Sequence, residues 1–121
     1  MSWVAVAIAG GLGAAARFLV SQVAMERFGT RLPWGTVLVN VSGALAAGAI
    51  GGLLTQAVLP AEFGRVVAGG FLGAYTTFST AMVETLQLRE RAGTAAALGH
   101  LLAESLAALA AAGLGWWLVV Q

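Results

Sequence analysis

The sequence predicts an all-α membrane protein with four transmembrane helices in each subunit, and three observations predict it. Hydrophobic residues make up 60% of the 121 residues and charged residues 9%, where an ordinary soluble domain carries about 25% charge. So few polar groups cannot cover a water-soluble surface, whereas a bilayer tolerates an apolar exterior. Four apolar segments each reach the roughly 20 residues that a spanning helix requires. The links between them are short, which sets neighbouring helices antiparallel. The 17 glycines fit the same picture, because small residues let membrane helices approach closely and pack.

The first segment runs from about Trp3 to Ala24 and holds one charge, Arg17. No Lys or Arg precedes Arg17 and the apolar character continues past Leu19, so this reads as a retained helix and not a signal peptide. A polar turn from Glu26 to Pro33 follows. The second segment runs from about Trp34 to Val58, starting behind a proline, the residue suited to a helix start, with Trp34 suited to the membrane interface. The third runs from about Phe63 to Leu88, the fourth from about Thr94 to Val120, closing on Trp116 and Trp117. The whole of 1–121 reads as one transmembrane unit without repeat, linker or extramembrane domain.

Several function classes are excluded. With no cysteine, disulfides and thiolate metal sites are out of reach. His100 is the sole histidine and cannot build a zinc site with its neighbours. A net charge of +1 is too weak for nucleic-acid binding. Metalloprotease, nucleophile-elbow and P-loop motifs are missing, so the chain is not read as an enzyme.

The third segment carries the strongest local signal. Its centre, Gly69 to Thr80, is glycine-rich and then hydroxyl-rich, a poor sequence for a continuous helix. We expect the third helix to be broken at mid-membrane, where freed carbonyls are tolerated only inside protein or beside a wet cavity and can bind a cation. Thr76, Thr77, Ser79 and Thr80 either line such a cavity or bond back to their own helix. Asn40 in the second helix is either a donor facing an anion or interhelical glue. Intramembrane ionisable residues are functional candidates, here Glu84, His100 and Glu104, with Ser105 beside them. His100 and Glu104 share a helix face, which also fits an intrahelical ion pair near a wet surface. Arg17 either snorkels to an interface or pairs with a carboxylate.

Three motifs together carry a resemblance. Gly10 to Arg17, Pro33 to Asn40, and Gly70 to Thr80 with Glu84 beyond, in this order and spacing, resemble the signatures of the bacterial Fluc (CrcB) fluoride channels. The resemblance covers essentially the whole chain. It implies an inverted, antiparallel dimer in the bacterial plasma (inner) membrane, with two fluoride pores along the subunit interface and passive efflux of cytoplasmic fluoride. It implies a structural sodium ion at the dimer centre, held by the backbone carbonyls of Gly73 and Thr76. It places Asn40, Phe78 and Ser105 in the pore. A pore that replaces the water of a small, strongly hydrated anion needs proton-bearing groups, which makes Thr77, Ser79 and Thr80 further donors, and Arg17 and Glu84 are read as structural polar groups. A ring edge at Phe78 suits an anion because the edge of the aromatic quadrupole is positive.

Two positions depart from the family pattern. Ala81 stands where a second Phe is usual, and Leu101 where a Tyr is usual. The alternatives are a dual-topology small multidrug exporter, disfavoured because no carboxylate precedes Glu26, and one subunit of a two-gene fluoride channel. For the latter the arginine bias speaks: Arg27, Arg31, Arg89 and Arg91 fall on one side of the membrane and Arg65 on the other. Loop arginines orient a chain, and this bias puts both termini outside the cytoplasm. A homodimer is the default expectation.

Overall fold

The computed structural model describes residues 2–121. The architecture is all-helical: α1 (Ser2–Phe28), α2 (Trp34–Thr55), α3 (Ala61–Gly64), a segment of π-type turns (Arg65–Leu72), α4 (Gly73–Tyr75), α5 (Phe78–Ala92) and α6 (Thr94–Val119). Four stretches are each long and apolar enough to cross a membrane, Trp3–Phe28, Trp34–Thr55, Ala61–Ala92 and Thr94–Val119.

The boundaries differ from the sequence expectation at the polar links. α1 continues through Glu26 and Arg27 to Phe28, because Glu and Arg favour helix; it stops where Gly29 takes a φ of 83°. α2 ends at Thr55, short of Val58. There the Thr55 hydroxyl donates to the Gly52 carbonyl at 2.8 Å and Ala57 takes a φ of 55°, which turns the chain toward Pro60. The third helical run starts at Ala61 and reaches Ala92, and Gly93 alone separates it from α6.

Few side chains are buried. The core centres on Val39, Leu72 and Tyr75, with Val20, Ala46 and Phe71 against them. Trp3, Phe18, Phe78, Leu102 and Leu109 are exposed around the perimeter. Apolar surface on that scale marks a membrane or protein contact. The tightest pairing is α2 against α6. A Cβ on Gly48 would collide with the backbone of Ala112, and one on Gly115 with the carbonyl of Leu45. Such backbone approach is how membrane helices gain packing energy without a hydrophobic drive between them.

Candidate functional site

Helical geometry lapses at two residues. Thr76 (φ −79°, ψ 159°) and Thr77 (φ −147°, ψ 120°) are extended between α4 and α5. In an unbroken helix the Thr77 N–H would return to the Gly73 carbonyl. Here it donates to Asn40 Oδ1 at 2.8 Å, and Asn40 Nδ2 donates to the Thr77 carbonyl at 2.9 Å. One amide thus clamps both polar groups of one extended residue, as buried backbone requires.

α2 can come close enough because of Gly43. A Cβ there would overlap the Thr76 methyl and press on the Tyr75 ring. Tyr75 is fixed from its other end by a 2.9 Å bond between its hydroxyl and Ser42 Oγ. The threonine hydroxyls are used locally: Thr76 Oγ1 donates to the Leu72 carbonyl at 3.0 Å. Thr77 Oγ1 caps α5, accepting from the Thr80 N–H at 3.3 Å and donating to Thr80 Oγ1 at 3.0 Å. Threonine is a preferred N-cap for this reason, and the helix end it closes carries partial positive charge.

An open-sided cavity of about 470 Å3 lies against this point. It gathers seven of the sequence candidates, Asn40, Gly73, Thr76, Thr77, Phe78, Glu104 and Ser105. Both departures, Ala81 and Leu101, line it too. Ser79 and Thr80 stand outside the lining, exposed on the first turn of α5, and Arg17 and Glu84 are likewise not part of it. Phe78 lines the cavity and is 78% exposed in the single chain.

Among the described residues, Arg17 pairs with no carboxylate. Its guanidinium Nη1 lies 3.4 Å from the Thr76 carbonyl oxygen, so it donates to the backbone at the lapse in the helix. That carbonyl belongs to one of the two residues read as sodium ligands. Among the described residues, no group of three His, Asp or Glu side chains could hold a metal ion. A cation site here would be built from carbonyls.

The polar residues of α6 reach further than the sequence suggested. His100 Nε2 stands 3.5 Å from Glu104 Oε2, the helix-face pair that the four-residue spacing gives. Glu104 is buried, and its Oε1 accepts from Asn40 Nδ2 at 2.9 Å. The 40–104 contact was missed in the sequence, since it depends on the register of α2 against α6. Two buried side-chain atoms nearby, Glu84 Oε2 and His100 Nε2, have no hydrogen-bond partner.

Comparison with known proteins bears on all of this. A family model described as CrcB-like protein, Camphor Resistance (CrcB), matches residues 4–116. A "Fluoride-specific ion channel FluC 2" of Mycobacterium tuberculosis is 40% identical over 116 residues, 96% of this chain and 89% of the relative. A "Fluoride-specific ion channel FluC 1" of Leifsonia xyli is 43% identical over 114 residues, 94% of this chain and 83% of the relative. A "Fluoride-specific ion channel FluC" of Anaeromyxobacter dehalogenans is 44% identical over 108 residues, 88% of this chain and 86% of the relative.

Proposed function

This chain belongs to the CrcB-like family of multi-pass membrane proteins, and from that premise we propose that it is a subunit of a fluoride-selective channel. No reaction is assigned to it, since the relatives are ion channels by name. The observation that carries the reading on this chain is the cavity where Asn40, Phe78 and Ser105 meet the start of α5. Fluoride is small and strongly hydrated, so a pore must replace its water with donors. An amide N–H, a serine hydroxyl, the N-terminal end of a helix and the positive edge of a ring supply them without a metal or a fixed positive charge.

The cavity is open in the single chain, most of its lining is apolar, and the exposed Phe78 is part of that lining. That supports assembly with a second subunit, which would close it into a pore; an inverted dimer would give two such pores. The extended pair Thr76–Thr77 serves as a break of the third spanning helix at mid-membrane. The Gly73 carbonyl has lost its helical partner to Asn40, and Thr76 is extended beside it. Carbonyl oxygens freed where a spanning helix unwinds suit sodium, so these two residues from each subunit would hold a sodium ion at the centre. The ion would supply a fixed positive charge that ties the two broken helices together. The Arg17 guanidinium at 3.4 Å from the Thr76 carbonyl would yield part of its contact there. Thr77, Ser79 and Thr80 stand by as donors at the start of α5, Arg17 and Glu84 as structural groups.

In a bacterial inner membrane, a negative-inside potential would drive the anion outward at about 2.3 kcal/mol per charge per 100 mV. No energy source beyond the membrane is needed to relieve fluoride toxicity. One observation favours a second version, a subunit of a two-gene channel. Ala81 and Leu101 put no aromatic or hydroxyl into the cavity they line. A homodimer would carry that loss in both pores, whereas a pair of distinct subunits could keep one intact.

Asn40→Asp tests the pore assignment. The carboxylate has no donor and would repel the anion, so fluoride efflux from liposomes should disappear while the assembled protein persists on size-exclusion chromatography. Wild-type efflux from assembled Asn40→Asp protein would remove Asn40 from the pore.

A further inference from the structure

Asn40 is saturated. A primary amide has two N–H donors, and one goes to the Thr77 carbonyl while the other goes to Glu104 Oε1, both at 2.9 Å. Its carbonyl is held by the Thr77 N–H. In this state nothing is left for an anion. Releasing the Thr77 carbonyl would strip the extended backbone of its partner, so the N–H that can be freed is the one donated to Glu104.

When ionised, Glu104 would also carry charge into the cavity it lines. An ionised carboxylate binds a donor about twice as strongly as a neutral acceptor does, and it repels fluoride from the same spot. The groups facing it can be named. α6 packs against α2 and α5. α2 contains no titratable residue and offers Asn40 and Thr36. α5 offers Glu84, half-buried and within electrostatic range of both Glu104 and His100. The other charges of α5, Arg89, Glu90 and Arg91, are exposed at its far end. On α6 itself, His100 presents an unpartnered Nε2 3.5 Å from Glu104 Oε2.

We infer that Glu104 is a positioning residue that controls the donor capacity of Asn40, and that fluoride reaches Asn40 only when the Glu104–His100 pair carries an added proton. A proton on the imidazole or on the carboxyl cancels the local charge and loosens the Asn40 bond. The freed N–H then turns to the anion. Conduction therefore falls as pH rises. This inference rests on the fluoride-channel reading above.

The test is fluoride efflux from liposomes holding the full chain, at equal pH on both sides. Efflux from protein-free vesicles is subtracted, because neutral hydrogen fluoride crosses lipid. The pH is stepped through the histidine range, about 5 to 8. Wild-type efflux should drop at least about tenfold across it, the change one proton gives per pH unit above its midpoint. Glu104→Gln keeps the shape and an acceptor for Asn40 but has no charge, and should conduct with no fall across the range. His100→Gln should move the wild-type midpoint to lower pH, since the carboxyl alone remains to be protonated. A nonzero but flat wild-type profile would overturn the inference and leave the channel reading standing. So would a Glu104→Gln profile that keeps the wild-type fall. Should Glu104→Gln fail to assemble, the wild-type profile and the His100→Gln shift decide. Absence of efflux at every pH from assembled wild-type protein would sink the channel reading and this inference with it.

Discussion

The same two helices meet in opposite ways at their two ends. Along one stretch, α2 and α6 touch backbone to backbone, through Gly48 against Ala112 and Gly115 against Leu45. Eight residues toward the start of each helix, about 12 Å away at 1.5 Å per residue, Asn40 meets Glu104 through a hydrogen bond. The register is constant, 40 with 104 and 48 with 112, so α2 and α6 run parallel. The glycine stretch is dry and close. The polar stretch is held apart by side chains and borders the cavity. Close packing at one end fixes the register that brings an amide to a carboxylate at the other. Stability and function are thus separated along one helix pair.

Substitutions at the two ends should therefore fail differently. The largest effect belongs to Gly48→Leu. Its side chain would have to enter the backbone of Ala112, and overpacking of a tight contact costs about 1–3 kcal/mol or more. Loss of assembled protein on detergent size-exclusion chromatography is the expected outcome, with no conducting fraction to assay. Assembled, conducting Gly48→Leu would show that the dry end does not set the register. Asn40→Asp is the opposite case, with assembly kept and conduction lost. Ser105→Ala is smaller again. It removes one cavity hydroxyl, worth about 1 kcal/mol or roughly fivefold in rate, with the melting temperature unchanged because Ser105 is exposed in the subunit. A melting temperature lowered as much as by a core substitution would move Ser105 from the polar end to the packing.

Close helix packing in general was legible in the sequence, though not the particular contact of α2 with α6. Apolar runs of spanning length and 17 glycines announce helices that pack closely in a membrane, and the three motifs carry the family. His100 and Glu104 on one face followed from their spacing. Helix ends at charged links were read short or long, since Glu26 and Arg27 extend α1 while Thr55 closes α2 through its own hydroxyl. Where a carboxylate was one expected partner of Arg17, its guanidinium meets the Thr76 carbonyl. The bond from Asn40 to Glu104 could not be read at all. It joins residues 64 apart and depends on the rotation and register of two helices, which apolar periodicity does not fix when a helix is apolar all round.

The central claim is that this chain conducts fluoride passively, and one measurement meets it directly. Purified protein is reconstituted alone in liposomes loaded with potassium fluoride, with equal pH inside and out, and external fluoride is followed by a selective electrode. A passive anion channel moves net charge, so efflux should begin only when a potassium ionophore supplies the counter-current, and chloride under the same gradient should stay inside. Efflux from this chain alone would also make a second gene product unnecessary. Fluoride that stays trapped with the ionophore present, or that leaves only when a proton gradient is imposed, would contradict the account.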